Sequence, residues 1–123
     1  LTKGMGADVI YDPVGGDYSE QAFRAIAWDG RFLVIGFASG PIPKIPLNLC
    51  LLKGASLMGV FWGTWATKFP AESQQNFQEL IQMIDSGKFS PQVTEVYPLD
   101  DYKAAFASIA ERRARGKVIL SMA

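Results

Sequence analysis

The sequence contains no histidine and a single cysteine, Cys50. No Ser-His-Asp triad, Cys-His dyad or histidine-rich metal site can be assembled from it alone. One thiol makes no internal disulfide, which agrees with a reducing compartment such as the cytoplasm. Net charge is also missing, because 12 Lys and Arg balance 12 Asp and Glu. A neutral chain gives no electrostatic reason to expect nucleic acid or an anionic membrane as a partner. No apolar run is long enough to span a bilayer, and no signal-peptide pattern stands out. An initiator methionine is absent as well: the chain opens Leu1-Thr2-Lys3 and is expected to be an excerpt of something longer.

What is present alternates between two periodicities. Residues 7–11 (ADVIY) form a short apolar run closed by Asp12-Pro13-Val14-Gly15-Gly16, the signature of a buried parallel strand. Asp17 and Glu20 are placed to form a capping box, with Tyr18, Ala22, Ala25 and Ile26 at helical spacing and Gly30 as the expected stop. A second cycle gives a strand at 31–35 (RFLVI), a Gly-, Ser- and Pro-rich loop at 37–46, and a short helix at 47–53 ended by Gly54. A third strand is expected at 56–62. Residues 72–86 predict an amphipathic helix with Phe77, Leu80, Ile81 and Ile84 on one face and Gly87 at its end. A strand at 93–97, a helix opened by Pro98 and Asp100, and a closing strand at 117–121 complete the pattern. Strand–helix alternation of this kind argues for an α/β domain. The more polar tail suggests a boundary near Lys88 to Pro91, giving segments 1–89 and 90–123.

Ligands of open parallel sheets bind beyond the carboxyl ends of the strands. Three such ends here run into glycine-containing tips: Asp12 to Gly16, Gly36 to Gly40, and Phe61-Trp62-Gly63. Glycine lets backbone lie against a flat ring with no side chain between. One such tip is simply a turn, but three on neighbouring strands suggest a binding rim. A G-x-G-x-x-G phosphate cradle is absent, as is the acidic or basic residue that would read a ribose. A rim without a cradle is what the second half of a Rossmann domain would leave.

The phrases GADVIYDPVGGD, DGRFLVIGFASG, LNLCLLKGASLMGVFWG and RGKVILS, in that order, resemble the C-terminal part of the medium-chain dehydrogenase/reductase superfamily. Within it the resemblance is to the zinc-independent quinone oxidoreductases, and it runs from Gly6 to Ser121. It implies that this chain supplies the fourth, fifth and sixth strands of a doubly wound parallel sheet, followed by a strand–helix–strand segment that returns to an absent substrate domain. The implied cofactor is NADPH, with NADH as the variant, and the implied reaction is hydride transfer to a quinone or another conjugated carbonyl. By position, Val14, Gly15 and Gly16 match the loop along the ribose and nicotinamide. Ile35, Gly36, Phe37 and Ala38 match the loop behind the nicotinamide ring, and Val60, Phe61 and Trp62 the strand end near its carboxamide. Gly116 and Lys117 match a tail segment that approaches the cofactor. The resemblance also implies a homodimer joined through the strand from Met58 to Phe61, and a bare fourth strand, Asp8 to Tyr11, where a first strand would pair. Activity is not expected of the chain in isolation.

No catalytic residue and no metal ligand is assigned. Cys50 reads as a small apolar residue in a leucine-rich helix. Asp12 reads as a turn starter that could also bond a ribose. Trp62 and Trp65 suit packing or a substrate cleft. Arg112, Arg113 and Arg115 suit a solvated helix end, and Tyr11 and Ser39 a structural role. Two other readings stand beside the leading one: a fragment of a zinc-dependent alcohol dehydrogenase, and a non-catalytic module that binds nucleotide or dimerises.

Overall fold

A computed structural model describes residues 2–122. The elements in chain order are β1 (Ala7–Asp12), α1 (Tyr18–Arg24), β2 (Ile26–Val34), α2 (Asn48–Lys53), β3 (Ser56–Gly59), α3 (Trp62–Lys68), α4 (Pro70–Asp85), β4 (Val93–Pro98), a 3₁₀ turn (Leu99–Asp101), α5 (Tyr102–Ala110) and β5 (Lys117–Ser121). They fall into two compact units, Leu1–Lys68 and Phe69–Ala123. This division lies before α4, whereas the segments expected from sequence divide after it.

In the first unit β1, β2 and β3 form a parallel sheet in that order. Parallel neighbours in chain order, joined by helical crossovers, are what the second half of a doubly wound sheet requires. The core lies where α1 and α2 meet the sheet. Phe23, Ile26, Phe32, Leu49 and Ala55 are buried there, with Ile10, Ala22, Val34, Ile45 and Cys50 packed against them. The rings of Phe23 and Phe32 sit 5.6 Å apart at 55°, a tilted contact that adds about 0.5–1.5 kcal/mol to their burial. Cys50 thus packs as a small apolar residue, as expected.

Three local expectations need correction. The helix after β1 ends at Arg24, not at Asp29, and β2 begins at Ile26. The Asp29-Gly30 pair is turn chemistry inside a strand. The register jumps from Ala7↔Ile26 to Val9↔Arg31, and Asp29 takes a left-handed φ of 60° to absorb the extra residues. The capping box does not form, since the Asp17 side chain makes no cap bond. Glu20 bonds Arg24 one turn on instead, at 2.7 Å. The third strand stops at Gly59 rather than reaching Trp62, because Trp62 already opens α3.

In the second unit β4 and β5 pair in parallel, with α5 packed on both. Gly116 is required by that pairing: a Cβ there would come within 2.5 Å of the Gln92 carbonyl oxygen and 2.7 Å of Thr94 Cγ2. Glu95 ties strand to helix, accepting the Tyr97 hydroxyl at 2.6 Å and the buried Ser108 hydroxyl at 2.9 Å. The Tyr97 bond and then the Ser108 bond hold its carboxyl below the usual range. Helix α4 starts at Pro70, whose fixed φ suits a first turn. Its Phe77, Leu80, Ile81 and Ile84 remain exposed. Among the described residues no helix is long and apolar enough to cross a membrane.

Candidate functional site

Because β1, β2 and β3 run parallel and side by side, their carboxyl ends open at one edge of the sheet. The pairing continues past the strands into the tips. The backbone carbonyl of Asp12 accepts the N–H of Ile35 at 3.0 Å and of Gly36 at 3.3 Å. Pro13 accepts Ala38 N–H at 3.1 Å, Val14 accepts Ser39 N–H at 2.9 Å, and Pro41 accepts Gly16 N–H at 3.1 Å. On the other side, Val34 accepts Val60 N–H at 2.9 Å. Val14, Gly15, Gly16, Ile35, Gly36, Phe37, Ala38 and Val60 are therefore brought to one rim, with Phe61 and Trp62 directly following.

The glycines of the rim fall into two groups. Gly15 and Gly16 are buried, with φ of 70° and 64°. A Cβ on Gly15 would come 2.8 Å from Phe37 Cδ1 and 3.2 Å from Phe37 Cα, and one on Gly16 would collide with Ser39 Oγ. These two are needed to zip the first tip onto the second. Gly36 and Gly59 differ. Neither has a left-handed φ. A Cβ on Gly36 would meet only the Pro13 carbonyl oxygen, at an ordinary 3.5 Å, and one on Gly59 would meet nothing within 4 Å.

Gly36 and Gly59 both line a groove of about 370 Å³, together with Val34, Ile35, Phe37, Val60 and Phe61. That volume lies within the roughly 300–1,000 Å³ typical of small-ligand sites. None of the seven residues in this wall is ionisable, so the wall offers an apolar surface and no side-chain acid, base or nucleophile. The first tip does not wall this groove. Gly16 instead contributes to a neighbouring hollow of about 340 Å³ with Asp17, Glu20 and the loop from Pro41 to Lys44.

Asp12 sits beneath the rim as a half-buried carboxylate. Its Oδ1 accepts the N–H groups of Val14 and Gly15, both at 2.9 Å, and its Oδ2 accepts the Ser19 hydroxyl at 2.6 Å. Burial pushes its carboxyl up, but the Ser19, Gly15 and Val14 hydrogen bonds together outweigh that and leave it lowered. Sequence reasoning identified the turn but missed the Ser19 link. The seven-residue separation carries no local signal, since it depends on α1 folding back over the strand end.

Gly116 and Lys117 lie in the second unit, at the start of β5, beside Phe89 to Gln92, Ala114 and Arg115. Trp65 is half-buried in α3 and Trp62 is exposed. Arg112, Arg113 and Arg115 are exposed after α5, with Arg113 Nε 2.7 Å from Glu111 Oε2. Among the described residues no group of three or more His, Cys, Asp or Glu side chains is placed to hold a metal ion.

The comparisons with known proteins agree on one group. The zinc-binding dehydrogenase family profile matches residues 1–120. Quinone oxidoreductase-like protein 2 of Bos taurus is 39% identical over 123 residues, covering 99% of this chain and 35% of that protein. Its homolog in Nematostella vectensis is 37% identical over 122 residues, covering 98% and 33%. Among solved structures, a mycobacterial protein complexed with NADPH superposes with a TM-score of 0.81 at 26% identity, covering 97% of this chain and 36% of that one. An NAD-dependent alcohol dehydrogenase superposes at 0.79 and 28% identity, covering 100% and 33%. The chain therefore spans about a third of the length of the curated relatives it matches.

Proposed function

Since the chain belongs to the zinc-binding dehydrogenase family, we propose that it is the nicotinamide-facing segment of an NADPH-dependent oxidoreductase acting on a quinone or another conjugated carbonyl. The observation that most supports this is the pair Gly36 and Gly59. The fold of this unit has no need of glycine at either position, yet both line the apolar groove. A planar ring lying against backbone is a ligand that would require the absence of a side chain at both positions.

A bound nicotinamide supplies the hydride, and the protein's part is to bind and orient it. Ile35, Gly36 and Phe37 form one wall of the groove and Gly59, Val60 and Phe61 the other. Between them they would offer one face of the ring and keep water from the other. Val14, Gly15 and Gly16 hold the second tip in place from behind. Ala38 and Trp62 flank the two walls. A proton needed by the product must come from groups outside the groove wall, because no side chain there can carry one. Gly116 has a reason to be glycine within its own unit, the close approach of Gln92 and Thr94.

The finer assignments rest on likeness. NADPH rather than NADH is supported by the NADPH complex among the similar structures. The quinone reading is supported by the quinone oxidoreductase-like relatives, and the zinc-independent reading goes with it as part of the proposal. The unpaired outer side of β3, exposed at all four residues, supports a homodimer through Met58 to Phe61. The reading also places the protein in the cytoplasm and the isolated chain among inactive fragments. A second reading, alcohol oxidation with NAD and zinc, is favoured by the alcohol dehydrogenase superposition.

Calorimetry of the full-length gene product with NADPH and NADH, with metal analysis and quinone-dependent NADPH oxidation, separates the two. Tighter NADPH binding, no stoichiometric zinc and quinone turnover are expected. Stoichiometric zinc with NADH preference would favour the alcohol dehydrogenase. Tight binding by this chain alone without turnover by the full-length protein would favour a binding module.

A further inference from the structure

Asp12 uses every oxygen it has within a few residues of the rim. One carboxylate oxygen holds the Val14 and Gly15 N–H groups, the other holds Ser19, and the backbone carbonyl holds Ile35 and Gly36. It thereby joins the first tip, the first turn of α1 and the second tip. An aspartate that merely starts a turn needs only a bond to a nearby N–H. Ser19 is 1% exposed, so its hydroxyl has left water for this one bond, and losing the partner strands it.

The consequence for the rim is chemical as well as geometric. With Asp12 in place, the Val14 and Gly15 N–H groups point inward at the carboxylate. The Pro13 and Val14 carbonyls are taken by Ala38 and Ser39. These N–H and carbonyl groups of the first tip are thus satisfied within the chain. The side chains left outward beside these bonds are apolar: Val14 on the first tip is 41% exposed and Phe37 on the second 40%.

We infer that Asp12 is a positioning residue for hydride transfer: its carboxylate fixes the backbone of the first tip, onto which the second tip is held through the Pro13–Ala38 and Val14–Ser39 bonds, and so sets the angle at which the groove presents the nicotinamide, without touching the ring itself. The inference rests on the oxidoreductase reading above. It differs from a purely structural role in what it alters. A loosened rim still offers an apolar groove, so the cofactor still binds, but the ring is held off its productive angle. Small misplacements of this kind lower turnover by up to about 100-fold.

The test is steady-state kinetics and NADPH calorimetry on the full-length protein. Asp12→Ala is expected to lower kcat by about 10- to 100-fold with the KM for NADPH moved less than about threefold. Asp12→Asn is expected to recover most of that loss, because its amide oxygen still accepts from Val14 and Gly15 and its NH₂ can donate to Ser19 Oγ. Ser19→Ala cuts only the link to α1 and carries the test if the alanine variant at 12 does not fold; a lower kcat at unchanged KM is again expected. Unchanged kcat in an active protein bearing Asp12→Ala, or in Ser19→Ala where the first does not fold, overturns the inference while leaving the hydride reading intact. An affinity loss without a kcat loss also overturns it. A wild-type protein that neither binds NADPH nor reduces a quinone overturns the hydride reading and this inference together.

Discussion

Replacing Gly59 by alanine sets two effects against each other, and the structure gives their signs. Gly59 pairs with Val34 at the end of β3, without a left-handed φ, and an added Cβ would meet nothing within 4 Å. The folded state therefore accepts the methyl without strain. Alanine also has less freedom in the unfolded chain, so stability should rise by about 0.4–1 kcal/mol. The groove is where the substitution does harm. A methyl on its wall stands where a flat ring would rest, and overpacking of that kind costs about 1–3 kcal/mol. That corresponds to NADPH binding weakened by about 5- to 150-fold. Gly36→Ala should behave likewise, since its Cβ meets only one ordinary contact at 3.5 Å. Thermal unfolding of the full-length protein without cofactor and calorimetry with NADPH read the two effects separately. A variant more stable than wild type that binds NADPH as tightly would refute the assignment of this groove to the ring. A variant that loses stability as well would refute the claim that the fold has no use for glycine there.

Other expectations follow from the same contacts. Phe23→Ala empties the centre of the first unit, where Phe23 is wholly buried against Phe32, and should cost about 3–5 kcal/mol; a loss below about 1 kcal/mol in denaturant titration would contradict that packing. The Asp12 carboxyl, lowered from its ordinary 3.8, stabilises the fold above the unfolded-state value and loses that contribution as pH falls through the folded one. An NMR titration of its carboxyl carbon should accordingly place its midpoint below that of an exposed aspartate, and a midpoint at or above 3.8 would contradict the Ser19 bond. Met58→Lys puts a charge on the open edge of β3 and should shift the full-length protein from dimer toward monomer in light scattering; an unchanged mass would place the dimer interface elsewhere.

The β–α alternation and the closing strand at 117–121 were legible in the sequence, because short apolar runs ended by glycine mark buried parallel strands. The break between α1 and β2 was not. Ile26 falls at helical spacing behind Ala22 and Ala25, yet the strand pairing of Ile26 with Ala7 captures it. Asp29-Gly30 reads equally well as a helix stop or a strand turn, and only the sheet register decides. Helix α3 was hidden because Trp62 ends an apolar run that looks strand-like throughout. At the site, the three tips were legible from glycine alone, but the division of labour among the glycines was not. Gly15 and Gly16 resemble Gly36 and Gly59 in sequence. Only the space around each Cα separates those that zip the tips together from those that leave room for something else. The apolar face of α4 was plain from its periodicity, but its exposure was not: Phe77, Leu80, Ile81 and Ile84 remain exposed.

A crystal structure of the full-length protein with NADPH bound tests the central claim most directly. The nicotinamide ring is expected in van der Waals contact with the backbone of Gly36 and Gly59, between the Phe37 and Phe61 sides of the groove. A nicotinamide lodged elsewhere, or another segment of the protein filling that groove, would contradict it.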